Sequence, residues 1–308
     1  MHRKKKAPVQ IHDDGSVSLN KYISASGFCS RREADAYIEA GRVTINDDVA
    51  STGNRVFEGD VVEIDGEPLK KAAKTVYIAF NKPKGITSTT DPSDKTNIIA
   101  AIRHPQRIFP IGRLDKDSEG LIFLTNNGDI VNKILRAGNR HEKEYLVSVS
   151  PDPTGEFFRK MAAGVRLIPE GKTLPCKVVP VGKHSFKITL VQGFNRQIRR
   201  MSSSLGHKVT SLKRIRVMNV LLGDLPVGSW RYLTPEEIAL IEAAVADSSG
   251  NEKASRPKAP QKTPPQPAVS KEKEAPKDAP KPQMPVPAKV SKLKDSYKTF
   301  RQKGRQRS

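Results

Sequence analysis

The chain has 308 residues, in which 54 lysines and arginines outnumber 33 acidic residues to give a formal net charge of +21. This excess makes a polyanion, either nucleic acid or an anionic membrane surface, the expected partner. No apolar stretch is long enough to span a bilayer, which excludes an integral membrane protein. The two cysteines, Cys29 and Cys176, stand outside any Cys-x-x-Cys or Cys/His cluster. That pattern is typical of a reduced, cytoplasmic protein without a zinc site.

The predicted elements begin with a small N-terminal module at residues 17–72, preceded by a basic extension at residues 1–16 that we expect to be disordered. Apolar residues at helical spacing from Leu19 predict a first helix. Ser30 and Glu33 have the spacing of a capping box and predict the start of a second helix. Short strands are expected at 43–46 and 61–64. A module of this size is too small to be the catalytic body.

A larger domain is expected at residues 73–246. Its predicted strands are 75–80, 121–125, 144–149 and 186–191, and its predicted helices are 129–136, 154–163, 195–205 and 235–245. The irregular order of strands and helices is typical of an α+β fold around a largely antiparallel sheet. The first strand is expected to end in a turn at 81–85, which contains Lys82 and Lys84.

The remaining residues, 247–308, form a tail rich in lysine and proline. It contains 16 lysines and arginines, 6 acidic residues and 10 prolines, but only one tyrosine and one phenylalanine. Such a composition cannot bury enough apolar surface to offset the entropy of ordering, so we expect a disordered basic tail.

A charged turn between Gly112 and Gly120 is the first candidate for chemistry. It alternates cations and carboxylates: Arg113, Asp115, Lys116, Asp117 and Glu119. Loops on a rigid scaffold often carry catalytic groups, and neighbouring cations favour an ionised Asp115. By composition alone a charged surface turn is the alternative. A divalent metal site is not expected, because the interleaved cations would repel the ion.

Two further motifs could take part. After Gly193 a helix is expected to begin with Asn195, Arg196, Arg199 and Arg200. Helix N-termini and arginine side chains both suit phosphate groups, although a basic exposed helix face is the alternative. Tyr145, in the strand predicted at 144–149, could be a core residue or an aromatic platform for a nucleobase.

In combination, three sequence motifs resemble one family. Gly-Arg-Leu-Asp followed by Gly-Leu at 112–121, Lys-Glu-Tyr at 143–145 and Asn-Arg-Gln-Ile-Arg-Arg-Met at 195–201 resemble the signature of bacterial RNA pseudouridine synthases. Their order and spacing are similar to the RsuA/RluB/RluE/RluF branch. The module at 17–72 resembles the S-four type of RNA-binding domain. The resemblance implies isomerisation of uridine to pseudouridine in 23S ribosomal RNA, with a transfer RNA as a further candidate substrate.

The resemblance also implies roles for individual residues. Asp115 matches the catalytic aspartate, which attacks the sugar carbon or removes a sugar proton. Tyr145 matches the tyrosine that stacks on the target base, and Arg199 matches the basic residue that pairs with the aspartate. No metal or cofactor is implied, and we expect a monomer. The expected RNA contacts are Lys21, Arg31, Arg32, Lys82, Lys84, Arg113, Asn195, Arg196 and Arg200.

Two rival functions stay open at this point. A ribosome-assembly factor that binds RNA without catalysis could keep the fold, although the joint presence of Asp115, Tyr145 and Arg199 counts against it. A metal-dependent nuclease would need a cluster of carboxylates or histidines. The six histidines show no metal-ligand spacing.

Overall fold

The computed structural model describes residues 15–70, 74–136 and 139–246. Residues 1–14 of the predicted extension and the whole tail predicted at 247–308 lie outside these ranges. Among the described residues, no helix is long and apolar enough to cross a membrane.

Residues 15–70 form the N-terminal module around a core of its own. Ser30 Oγ accepts a hydrogen bond from the Glu33 amide, and the Glu33 carboxylate accepts one from the Ser30 amide, which confirms the predicted capping box. Leu19 and Ile23 pack in the same buried cluster as Ile38. The elements are β1 (Val17–Ser18), α1 (Leu19–Ala25), α2 (Arg31–Glu39), β2 (Val43–Ile45), β3 (Asp48–Val49), β4 (Arg55–Val56), β5 (Val62–Ile64) and β6 (Glu67–Pro68).

The chain between residues 74 and 246 builds a nine-stranded sheet with helices packed against it. The elements are β7 (Tyr77–Lys82), α3 (Ile98–Ile102), β8 (Phe109–Ile111), β9 (Glu119–Thr125), α4 (Asp129–Leu135), β10 (Lys143–Ser150), α5 (Gly155–Ala163), β11 (Arg166–Leu167), β12 (Gly171–Lys172), β13 (Lys177–Gly182), β14 (Ser185–Leu190), α6 (Gln197–Ser204), β15 (Lys208–Val217), β16 (Val220–Leu221), β17 (Trp230–Tyr232) and α7 (Pro235–Ala246).

The sheet is almost entirely antiparallel. Its order is β13-β14-β10-β15-β9-β7-β17, with β8 paired to β9 and β16 paired to β15; β11 and β12 pair separately. Among the strands of the described residues, only β9 and β15 pair in parallel. The prediction of an α+β fold around a mostly antiparallel sheet is therefore confirmed.

The central strands β7 and β9 are buried on both faces. Tyr77 and Phe123 belong to a cluster that also contains residues of α4 and α7. Ile78 and Ile122, which alternate with them along the strands, belong to a second cluster that includes α3. A strand pair covered on both sides forms a rigid support for the loop between β8 and β9.

The end of β7 corrects the predicted turn at 81–85. Asn81 and Lys82 continue the strand and are 1% and 0% exposed. Asn81 Nδ2 donates to the carbonyl of Leu225 at 2.7 Å. Lys82 Nζ donates to the carbonyls of Pro83 and Ile86 at 2.9 and 2.8 Å. Because their donors remain paired, these polar residues can be buried at the end of a strand.

Candidate active site

The loop between β8 and β9 holds Asp115 in a defined position through its neighbours. Leu114 is 7% exposed and packs in the cluster on one face of the central strands. The hydroxyl of Ser88, also buried, donates to the Leu114 carbonyl at 2.8 Å and accepts from the Leu114 amide at 3.1 Å. The Ser118 amide donates to the Asp115 carbonyl at 3.0 Å. Ser88 stands far from the loop in sequence and was missed by the motif analysis.

Gly120 fixes the other end of this loop against β15. It pairs with Arg214 where β9 and β15 run parallel, and its φ is +105°. A Cβ at this position would lie 2.3 Å from the Arg214 carbonyl oxygen, a distance that no side chain can occupy. Only glycine therefore allows the two strands to pair here.

Two guanidinium groups from the start of α6 face the Asp115 carboxylate. Arg196 Nη1 and Arg199 Nε lie 3.5 and 3.9 Å from Asp115 Oδ2. These distances are too long for hydrogen bonds, and no other described residue donates a hydrogen bond to this carboxylate. The side chain is 28% exposed. Asp115 is thus a charge-compensated carboxylate with lone pairs left available.

Arg199 is held by contacts that do not involve Asp115. Its Nη2 donates to the Asp117 carbonyl at 3.2 Å and to Ser118 Oγ at 3.0 Å, and its Nη1 reaches the Val209 carbonyl at 3.5 Å. Ser118 is 1% exposed. The buried Nε has no hydrogen-bond partner in the described part of the chain and is directed to Asp115. Arg199 is therefore a fixed cation beside Asp115.

Asp117 has a different environment from Asp115, although it is only two residues away. Both of its carboxylate oxygens accept hydrogen bonds from Arg196, each at 3.1 Å. These bonds, with the added charge of Arg199, hold the pKa of Asp117 below its usual range. Asp117 positions the two arginines, whereas Asp115 keeps its oxygens unbonded.

Tyr145 lies in β10 between two parts of the core. Its half-buried ring packs against the cluster that contains Leu114 and against the cluster beneath α5 and α6. The guanidinium carbon of Arg214, a buried residue of β15, is 6.0 Å from the ring centre. The Lys82 ammonium is also buried. Burial lowers its pKa to about 8, and the negative charge of Asp115 offsets part of this shift.

Of the nine residues expected to contact RNA, three are buried or paired within the protein, one is paired but partly exposed, and five are exposed. Lys82 is buried, Lys21 pairs with Asp129 at 2.6 Å, and Arg200 makes two 2.8 Å hydrogen bonds to Glu170. The burial of Lys82 is at odds with a phosphate contact. Arg196 is bound to Asp117 but is 44% exposed. The exposed remainder consists of Arg31, Arg32, Lys84, Arg113 and Asn195.

A surface groove of about 530 Å³ lies next to Arg199. It runs from the start of α6 to the first residues of β15. Among the described residues, no group of three or more histidine, cysteine or acidic side chains could hold a metal ion. The groove is lined by residues that include Asp117, Arg196, Arg199, His207, Lys208 and Val209.

Comparison with known proteins agrees with this arrangement. Residues 76–204 match the family described as RNA pseudouridylate synthase, and residues 17–62 match the S4 domain. The dual-specificity RNA pseudouridine synthase RluF of Escherichia coli (strain K12) is 53% identical over 78% of this chain and 83% of its own length. The ribosomal large subunit pseudouridine synthase B of Bacillus subtilis (strain 168) is 36% identical over 76% of this chain and 98% of its own.

A solved structure, titled as a crystal structure of pseudouridylate synthase, has the same fold. It superposes with a TM-score of 0.55 at 27% identity and covers 73% of this chain and 99% of its own. The relatives are named as synthases, which favours an enzyme over the non-catalytic alternative. The chain therefore belongs to the RNA pseudouridylate synthase family, in the RsuA-type branch that includes RluF, and isomerises uridine to pseudouridine in RNA.

Proposed function

We propose that the protein modifies a uridine of 23S ribosomal RNA and that Asp115 is its catalytic carboxylate. The observation that carries the assignment of Asp115 is its unbonded carboxylate, which faces the guanidinium groups of Arg196 and Arg199. Asp117 and Glu119 are the other carboxylates of the loop. Asp117 is occupied by Arg196, and Glu119 lies within β9.

The reaction requires an ionised acid beside the ribose. The N1–C1′ bond of the uridine breaks, the uracil turns, a C5–C1′ bond forms, and the proton at C5 is lost while N1 gains one. Asp115 can start this sequence by attacking C1′, in which case N1 leaves and the carboxylate is released when C5 bonds to C1′, or by removing a sugar proton that it later returns. Both routes need a charged carboxylate, and two guanidinium groups face the Asp115 oxygen. We propose that Tyr145 stacks on the uracil after the base has left the RNA stack.

The RNA would be held by two surfaces of the chain. We propose that residues 17–72 bind a structured part of the RNA through Arg31 and Arg32. In the catalytic domain, at residues 73–246, the exposed Lys84, Arg113 and Asn195 are the proposed contacts, with Arg196 at the edge of the site. Phosphate contacts position RNA without reading its sequence, so target choice would depend on RNA shape.

The choice of substrate rests on the names of the relatives. One relative is named for the large ribosomal subunit and another as dual-specificity, which supports ribosomal RNA as the first substrate and a second RNA class besides. We propose transfer RNA as that second class. We also expect the protein to act as a monomer in the cytoplasm.

The proposed substrates can be tested by mapping pseudouridines in ribosomal and transfer RNA from cells with and without the gene. We expect one 23S site to disappear on deletion and to return with the wild-type gene. We expect no return with Asp115→Asn. Loss of a site confined to small-subunit RNA, or return with Asp115→Asn, would contradict the proposal.

A further inference from the structure

The groove adjoins the candidate active site through Arg199. Neither Asp115 nor Tyr145 is among the residues that line it. Arg199 belongs to both places, because its Nε faces Asp115 while its Nη2 contacts Asp117 in the groove. A ligand in the groove would therefore lie against the same arginine that faces Asp115.

The charge of the groove suits a phosphate. The negative charge of Asp117 is taken up by Arg196 through two hydrogen bonds. Lys208, at the start of β15, is exposed, and no described carboxylate lies within ion-pair distance of it. Three lining cations, Arg196, Arg199 and Lys208, therefore accompany the single lining carboxylate of Asp117, and this excess of positive charge attracts an anion.

The groove also offers a ring and an apolar surface. His207 packs against Phe157 with ring centres 4.4 Å apart. Its Nδ1 lies 2.8 Å from the Leu205 carbonyl and its Nε2 lies 3.4 Å from the Asp152 carbonyl, so the ring is held on three sides. A half-buried imidazole beside the buried Val209 is a suitable stacking surface for a nucleobase. The volume, about 530 Å³, is within the range of ligand sites.

We propose that this groove binds the nucleotide that adjoins the target uridine in the RNA chain. Its phosphate would lie between Arg199 and Lys208, and its base would pack against His207. The subsite would fix the direction of the RNA strand across Asp115 and contribute to the choice of uridine. This inference rests on the proposed function and adds His207 and Lys208 to the RNA contacts.

The test uses the full chain and a stem-loop RNA that carries the mapped target uridine. Four RNAs are compared: the intact sequence, an abasic nucleotide immediately 5′ of the target, one immediately 3′, and one five positions away. Dissociation constants and single-turnover rates are measured for the wild type and for His207→Ala. We expect the abasic change at one adjacent position to weaken wild-type binding by roughly 5- to 100-fold.

The same abasic change should cost His207→Ala almost nothing further, because the stacking partner is already absent. If, at both adjacent positions, the abasic change weakens binding by His207→Ala as much as it weakens binding by the wild type, the proposal is overturned. If His207→Ala fails to fold, Lys208→Ala replaces it, since that side chain is exposed. Loss of one phosphate contact should lower the slope of log affinity against log salt by about 0.7–0.9. An unchanged slope would equally overturn the proposal.

A matched control is Lys177→Ala, which removes an exposed lysine from the edge strand β13. It should leave unchanged both the slope of log affinity against log salt and the effect of each abasic RNA on binding. Absence of pseudouridine with the wild type would contradict the proposed function itself. Normal product with the wild type, together with additive losses from the abasic change and from His207→Ala, would contradict only the proposed subsite.

Discussion

Replacing Arg199 by methionine removes the most firmly held cation beside Asp115. The Arg199 Nε to Asp115 Oδ2 distance of 3.9 Å corresponds to about 4 kcal/mol of attraction at an effective dielectric constant of about 20. This attraction is present in the free enzyme as well, so only the part of it that holds Asp115 in position for the ribose counts toward the rate. Arg196, at 3.5 Å, remains in place and compensates in part. We therefore expect a loss of about 10²- to 10³-fold, similar to the loss of one donor from an oxyanion hole.

The assay is single-turnover formation of pseudouridine with enzyme in excess over a 23S RNA fragment, alongside a separate measurement of RNA affinity. Arg199→Lys should restore little, because a lysine cannot contact Asp117, Ser118 and Asp115 in their three directions. Arg159→Met, on the exposed face of α5, is the matched control and should keep the wild-type rate. An Arg199→Met rate within threefold of the wild type would refute the reasoning.

Three further predictions concern the support of the site. Lys143 is buried, and burial together with the charge of Arg214 lowers its pKa to about 8. Between pH 8 and 10.5 the unfolded chain therefore binds more protons, so Lys143 should make the free energy of unfolding rise with pH, by up to about 3 kcal/mol. Urea titrations should show a smaller rise for Lys143→Met than for the wild type, because only the contribution of Lys82, whose pKa is also lowered to about 8, then remains. Gly120→Ala should cost about 2–5 kcal/mol in the same titrations, because its φ is +105° and the new Cβ would overlap backbone atoms. Ser88→Ala leaves two buried main-chain groups beside Asp115 unpaired and should cost about 2 kcal/mol. It should also slow the single-turnover step about 10-fold without weakening RNA binding.

Each of these changes has a comparison that isolates its cause. Gly171→Ala has a similar φ of +91° but open space around the new Cβ, so it reports backbone strain alone. Equal losses at Gly171 and Gly120 would contradict the proposed overlap. Lys177→Met removes an exposed lysine and should keep the wild-type dependence on pH. For Ser88→Ala, a normal rate with lowered stability would show that the hydroxyl supports the fold only.

The elements with strong local signals were predictable from the sequence. The capping box at Ser30 and Glu33 predicted the start of α2, and the bounds predicted for α4 and α5 lie within one residue of those observed. The ten-residue strand β15 was not predicted. Its buried face includes Arg214, and its pairing with β10 contains two register shifts, so the alternation of apolar residues is broken.

The site shows the same division between local and distant information. The motifs singled out Asp115, Arg196 and Arg199 as candidate site residues, because those residues lie in short, recognisable runs, but they assigned Arg196 to an RNA contact rather than to a place beside Asp115. They did not identify Ser88, whose hydroxyl fixes the loop from 26 residues away. Nor could they show that Lys82 is buried, since its ammonium is satisfied by carbonyls that only the folded chain brings near.

The central claim is that Asp115 performs the chemistry while Asp117 positions the arginines. The most direct measurement compares single-turnover rates of Asp115→Asn and Asp117→Asn on the same 23S RNA fragment, with RNA affinity measured in parallel. We expect no detectable pseudouridine with Asp115→Asn at near-normal RNA affinity, and reduced but measurable product with Asp117→Asn. Product from Asp115→Asn at the wild-type rate, or abolition by Asp117→Asn alone, would contradict it.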